Sequence, residues 1–191
     1  MPTYNDPIRH RQFVIKAMAA QGGWRARALR GLNIASPTFD AADRMLAIEA
    51  VRAYLDGEAE KRRTARGPDG VPAALEFAEA FEQIAITDGQ KAMLDAHLAA
   101  PGHILTATQL AHAAGYASYE AANAQYGLLA RALAEELEWT PAEQGPDGHP
   151  IWTFTLATEG SDDEAPVVAL GDRAEWRWRL RPQVVEALSK R

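Results

Sequence analysis

Basic side chains are the first feature of this sequence that could do chemistry. Guanidinium and ammonium groups neutralise phosphate oxygens, so a cluster of them predicts a surface for a nucleic-acid backbone. A solvated helix face is the alternative interpretation of the same cluster. The arginines that we select in the N-terminal part are Arg9, Arg11, Arg25, Arg27 and Arg30.

Charge is distributed unevenly along the 191 residues, whose formal net charge is −6. Residues 1–66 contain 12 Lys and Arg against 7 Asp and Glu, whereas residues 67–191 contain 8 against 19. Such asymmetry indicates different partners for the two parts of the chain. Any contact with DNA would therefore depend on the basic N-terminal part.

Catalytic and metal-binding chemistry has little support in the sequence. The chain has no cysteine, which excludes disulfides, thiol catalysis and thiolate zinc sites. Asp95, His97, His103 and His112 are close in sequence, but their spacing matches no metal-ligand motif. We therefore expect a non-catalytic protein with no metal and no cofactor. An enzyme is the alternative that the many carboxylates leave open.

The N-terminal part is predicted to be helical. Residues 7–21 and 24–32 mix apolar and basic side chains in a pattern that we interpret as two short helices. A longer helix is predicted within residues 36–58, with an apolar stripe of Met45, Ile48, Val51 and Leu55. We expect a basic helical domain over residues 1–60 and a linker with a short helix over residues 61–85.

The remaining residues, 86–191, predict a different arrangement. The expected elements are helices over residues 88–100, 106–114 and 118–137, strands over 151–158, 167–170 and 175–180, and a last helix from Pro182. With Gly115 as a turn, this is the element order of a winged helix-turn-helix domain. The predicted fold class is mainly α with a small antiparallel β-hairpin, comprising an N-terminal helical part and a winged helix-turn-helix-like part.

The start of the long helix and the β-hairpin are the candidate DNA-contacting regions of such a domain. Amide side chains can pair with adenine, a hydroxyl can contact a base edge, and arginine can contact phosphate. The residues that this predicts are Ser118, Tyr119, Asn123, Gln125, Arg131, Arg177 and Arg179. Alternatively the amides are plain polar surface, and Trp176 and Trp178 form the core face of a strand whose arginines face solvent.

Two motifs in this region carry a resemblance. They are the corner LTATQLAHAAGY, from Leu105 to Tyr116, and the run NAQYGLLARAL, from Asn123 to Leu133; the later WRWRLRPQVVEAL agrees with them. The segment resembles a module of bacterial proteins that carry a C-terminal HNH nuclease domain, and of short stand-alone relatives. The resemblance implies a role in DNA processing or defence. No HNH motif follows the module here, so nuclease activity is not implied.

These observations favour a non-catalytic nucleic-acid-associated protein, namely a DNA-binding regulator or the targeting component of a bacterial defence or DNA-processing system. Double-stranded DNA is the expected ligand. The alternative is a protein-interaction module with an acidic winged-helix surface, which would form a homodimer or act as an inhibitor that mimics DNA. No apolar run is long enough for a membrane span and no signal peptide is evident, so we expect a cytoplasmic protein without membrane contact.

Overall fold

The computed structural model describes residues 7–160 and 176–190. The chain forms two compact units, Met1–Gly70 and Val71–Arg191, which we call unit 1 and unit 2. The short strand predicted at residues 167–170 lies outside the described residues.

Unit 1 is a twisted antiparallel sheet with one helix, and the two helices predicted for its first 32 residues are wrong. Its elements are β1 (Ile8–His10), β2 (Phe13–Ala20), β3 (Gly23–Arg30), β4 (Asn33–Ile34), β5 (Phe39–Ala41) and α1 (Arg44–Ala65). The strand order is β1-β2-β3-β4, and β5 pairs with β3 beside β4.

Alternation of side chains explains why these residues form strands. In β3, buried Ala26 and Ala28 alternate with exposed Arg25 and Arg27, which is the period of two that a half-buried strand requires. A two-residue connection links β2 to β3, and Gly22 supplies the positive φ of 85° that such a tight hairpin needs. Hydrophobic alternation thus overrides the helix propensity of alanine and arginine.

The helix α1 covers one face of this sheet. Its side chains Ala47, Ile48, Val51 and Leu55 pack against the inward residues of β2 and β3. Asp43 caps its start by accepting a hydrogen bond from the Leu46 backbone N–H at 2.9 Å. Met45, predicted to lie on the buried stripe, is 54% exposed. The helix continues to Ala65, so the first residues of the predicted linker are helical.

Unit 2 combines helices with a three-stranded antiparallel sheet. Its elements are α2 (Ala74–Gln83), α3 (Asp88–Ala99), β6 (Ile104–Thr106), α4 (Ala107–Ala114), α5 (Tyr119–Glu136), β7 (Ala157–Glu159), β8 (Arg177–Leu180) and α6 (Pro182–Ser189). The strand order is β6-β8-β7. The strand predicted over residues 151–158 is wrong in its first half, because Trp152–Thr155 form a 3-10 turn.

The predicted fold class is therefore wrong. The protein is a mixed α/β structure with a five-stranded and a three-stranded antiparallel sheet, not a mainly α fold with a single hairpin. The error lies chiefly in unit 1, where a sheet replaces the expected helical domain. Within the described ranges, no helix has both the length and the apolar character to cross a membrane.

The corner between α4 and α5 follows the pattern expected from the sequence. Gly115 ends α4 in the left-handed conformation with φ 69°, and the Tyr116 backbone N–H donates to the Ala111 carbonyl at 2.9 Å. The Tyr116 ring packs against the core of the unit and comes so close to α3 that a side chain at Gly89 would collide with its hydroxyl. Gly115 thus makes the turn between α4 and α5, and Gly89 leaves room for the Tyr116 side chain beside α3.

Candidate nucleic-acid interface

The side of the unit 1 sheet that faces away from α1, which we call the outer face, carries three rows of side chains set by the strand register. The first row contains one residue from each of β1, β2, β3 and β4. The second row is a pair of cations on β2 and β3, and the third runs from β2 through β3 to an aspartate of β5. The rows are Arg9–Val14–Leu29–Ile34, Lys16–Arg27 and Met18–Arg25–Asp40.

Positive charge dominates this face. Four of the strand residues that point outward are Arg or Lys, and Asp40 is the one carboxylate among them in the described part of the sheet. Lys16 and Arg27 are directly opposite each other and both are exposed. Like charges opposite each other destabilise a sheet. The face thus repels itself electrostatically and attracts anions.

Arg25 and Asp40 form a two-point ion pair between β3 and β5. The Arg25 Nε donates to one carboxylate oxygen of Asp40 at 2.7 Å, and its Nη2 donates to the other at 3.3 Å. The hydrogen bond from Arg25 lowers the pKa of Asp40 below its ordinary value. Asp40 is therefore ionised at neutral pH and holds the guanidinium group in one plane.

Aliphatic side chains fill the spaces between these charges. Met18 is 59% exposed and Ile34 is 62% exposed. The aromatic rings that the structure describes in this unit are on the opposite, helix-covered side, where Phe13, Trp24, Phe39 and Tyr54 pack against the core. Among residues 7–70, the outer face therefore offers cations and aliphatic groups but no ring on which a base could stack.

Two of the five arginines predicted for this surface are not on it. Arg11 lies in the β1–β2 turn and donates to Asp56 of α1 at 2.7 Å, beside His10, which contacts the same oxygen at 2.9 Å. These two hydrogen bonds, chiefly that from Arg11, lower the pKa of Asp56. Arg30 lies over the Phe13 ring at 5.8 Å from its centroid. Both arginines thus brace the helix side of the unit.

The residues predicted at the start of α5 are only partly available to a ligand. Ser118 is the N-cap, and its hydroxyl accepts the Ala121 N–H at 3.4 Å. Tyr119 and Asn123 are exposed. Gln125 is half-buried, and the Gln90 amide donates to its backbone carbonyl at 3.2 Å and to its side-chain oxygen at 3.4 Å. Gln125 therefore fastens α5 to α3.

Of the three arginines predicted in unit 2, Arg131 contacts other side chains of the unit. The Arg131 Nε donates to Glu135 at 2.8 Å, and its guanidinium lies 5.7 Å from the centre of the Trp152 ring. Arg177 and Arg179 are half-buried on β8 and alternate with buried Trp178 and Leu180. The core interpretation of that strand is thus right for Trp178 and wrong for Trp176, which is 49% exposed with its ring 5.8 Å from that of Trp178.

A histidine within the candidate metal group lies in the interior of unit 2. His97 is fully buried; its Nε2 donates to the Trp178 carbonyl and its Nδ1 accepts from the Tyr126 hydroxyl, both at 2.8 Å. Burial lowers the pKa of His97 from 6.5 to about 4. Both ring nitrogens are occupied, so this side chain connects α3, α5 and β8. Across residues 7–160 and 176–190, no three acids or histidines converge as metal ligands.

Sequence reasoning left Lys16 and Met18 out of the candidate site. If residues 13–20 are interpreted as a strand, successive side chains point to opposite sides. Lys16 and Met18 then lie on one side of β2 and Ile15 on the other, so the sequence could have indicated both residues. The alternation of arginine and alanine in WRARALR then adds Arg25 and Arg27 to the same side.

Comparisons with protein-family models, with curated proteins and with solved structures found no match to this chain.

Proposed function

We propose that the protein is a non-catalytic nucleic-acid-associated protein, and that the outer face of unit 1 binds the phosphate backbone of double-stranded DNA. The observation that carries this proposal is the Lys16–Arg27 pair. Two cations held opposite each other on a sheet cost stability. An anion bound between them removes that cost, and neighbouring Arg9 and Arg25 extend the positive surface to the length of several phosphates.

For unit 2 the proposed architecture is winged helix-turn-helix-like. The order α3, β6, α4, α5, β7, β8 and the antiparallel sheet β6-β8-β7 support this assignment, as does the tight glycine corner between α4 and α5. The sequence resemblance described above favours a regulator or a targeting component of a bacterial DNA-processing or defence system.

Salt-dependent binding tests the DNA proposal. The full-length protein is titrated against a fluorescently labelled duplex of random sequence while the salt concentration is raised. The logarithm of the affinity should fall linearly with the logarithm of salt, by about 0.9 for each phosphate contact. The double variant Lys16→Ala, Arg27→Ala should lower that slope by about 2 and weaken binding at least tenfold at low salt.

A matched control removes two cations elsewhere in unit 1. Lys61 and Arg63 are exposed on α1, and each forms an ion pair with a glutamate three residues before it. The double variant Lys61→Ala, Arg63→Ala changes the net charge equally and should leave the slope within about 0.5 of the wild-type value. The proposal is wrong if the wild type does not bind at low salt, or if the control lowers the slope as much as the outer-face variant.

A second candidate function concerns unit 2 by itself. The outward side of α5 presents Glu120, Ala124 and Leu128, and its one cation, Arg131, is paired with Glu135. This surface suits a protein partner better than phosphate. A partner protein or a second copy of the chain would then be the ligand of unit 2. Sedimentation velocity tests the second copy directly, because a dimer through α5 should dissociate when Leu128 is replaced by Glu.

A further inference from the structure

The row Met18–Arg25–Asp40 differs from the other two rows of the outer face. In the Lys16–Arg27 row, two cations lie opposite each other. In this row, the guanidinium of Arg25 is fixed in orientation by a carboxylate on the neighbouring strand, since Arg25 and Asp40 are directly opposite in the register. A fixed fork is a feature of recognition rather than of general charge neutralisation.

The donors that remain on Arg25 determine what it could recognise. A guanidinium has five N–H donors, and Asp40 accepts one from Nε and one from Nη2. The other N–H of Nη2 and both of Nη1 are left. Two of these point in parallel from the end of the side chain, and such a fork matches the O6 and N7 acceptors that guanine presents in the major groove.

Arg25 lies near the turn of the β2–β3 hairpin, whose strands of eight residues each are joined by the two-residue connection at Gly22. This hairpin belongs to the five-stranded sheet, and β5 pairs with β3 at Arg25. The major groove of B-DNA admits a two-stranded β-ribbon, so the turn end of the hairpin is the part that we place in the groove. Single-stranded nucleic acid is less well matched, because proteins bind it chiefly by stacking bases on aromatic rings, and the rings that the structure describes in unit 1 are on the other side of the sheet.

We propose that Arg25 contacts guanine in duplex DNA and that Asp40 is its positioning residue, whereas Arg9, Lys16 and Arg27 contact phosphates. This inference rests on the proposed function, since it assigns a base-contacting role within the same face. It gives the protein a preference for a guanine-containing site, which phosphate contacts alone cannot supply.

Selection from a random duplex library tests the inference. The full-length protein is incubated with duplexes that have a randomised centre and fixed flanks, and bound molecules are sequenced. In the wild-type selection, guanine should be enriched at one position by about tenfold over the other bases, as expected for one two-point arginine contact. The variant Arg25→Lys keeps the charge but not the fork, so it should lose the enrichment and retain the salt slope.

The variants of Asp40 separate positioning from simple electrostatics. If Asp40 orients Arg25, Asp40→Asn should lose most of the guanine enrichment even though the removed negative charge strengthens binding to random duplex. Asp40→Glu, which restores a carboxylate, should recover part of the enrichment. The control Arg63→Lys should leave the enrichment unchanged, because Arg63 is an exposed arginine of α1 that is paired with Glu60 and lies outside the outer face.

Each result bears on the inference. Binding without guanine enrichment in the wild type overturns the role of Arg25 and leaves the phosphate surface standing, whereas absence of all duplex binding removes the proposed function itself. Enrichment that persists in Arg25→Lys also refutes the base contact. Enrichment that persists in Asp40→Asn, with thermal unfolding as in the wild type, refutes the positioning role. Tighter binding to single strands than to duplex would contradict the assigned ligand class.

Discussion

The two units use polar side chains in opposite ways. Unit 1 covers one face of its sheet with α1, and the cations on the outer face are exposed where a ligand can reach them. Unit 2 encloses its core between helices and its small sheet, and its most distinctive polar contact, His97 with Tyr126, is inside. We infer that the polar side chains on the outer face of unit 1 are available to a ligand, whereas those in the interior of unit 2 stabilise the fold.

The largest expected effect tests the enclosed core of unit 2. Leu133 of α5 is fully buried, and Leu133→Ala should lower the free energy of unfolding by about 2–5 kcal/mol, measured by chemical denaturation. On the same helix Leu128 is 56% exposed, and Leu128→Ala should change the free energy by less than about 0.5 kcal/mol. Equal effects of the two substitutions would show that α5 is not packed as described.

The buried side chain of His97 should make the stability of the protein depend on pH. Because burial depresses the pKa of His97 from 6.5 to about 4, the unfolded chain binds a proton before the folded one does as the pH falls. The contribution of neutral His97 is complete above pH 6.5 and is lost progressively toward pH 4. The loss should amount to about 3 kcal/mol, so the stability difference between wild type and His97→Gln should shrink by that amount.

Nuclear magnetic resonance of the imidazole nitrogens provides a second measurement that needs no variant. The His97 ring should remain neutral, with the proton on Nε2, until the pH approaches 4. The substitution His112→Gln, at an exposed position of α4, is the matched control and should leave the pH dependence of stability unaltered. Titration of His97 near 6.5 would contradict its burial.

A smaller effect is expected where the strands of unit 1 meet. A side chain at Gly23 would place its Cβ 2.3 Å from the Ala41 carbonyl oxygen, so Gly23→Ala must push β3 and β5 apart. We expect a cost of about 1–3 kcal/mol in unfolding free energy, as for other overpacked sites. In α1, Gly57 has open space, and Gly57→Ala should instead stabilise the protein by about 0.5–1 kcal/mol. Thermal unfolding of the two variants should therefore show a lower midpoint for Gly23→Ala and a higher midpoint for Gly57→Ala than for the wild type. Equal midpoints would contradict the close contact between β3 and β5.

How much of this could be predicted from the sequence differs between the units. In unit 2 the glycine corner, the helix caps and the apolar stripe of α5 are local features, and the helices follow them closely. In unit 1 alanine and arginine favour helix by intrinsic propensity, while the decisive information is pairing between strands that are distant in the chain. Composition identifies Arg9, Arg25 and Arg27 as basic residues, but only the register between the strands shows that they share one face of the sheet.

The smallest expected effect decides which unit carries the DNA contact. Asn123 and Arg131 are on α5, in the element that helix-turn-helix proteins use for recognition, yet Arg131 is already paired with Glu135 and Glu120 lies nearby on the outward side. The double variant Asn123→Ala, Arg131→Ala should therefore change the affinity for random duplex less than about twofold, because no net phosphate contact is removed. The double variant Lys91→Ala, Asn123→Ala provides the control, since Lys91 is a surface cation of α3 paired with Asp95. If the α5 variant instead weakens binding tenfold while the control does not, α5 enters the groove, and the outer face of unit 1 serves as an accessory surface.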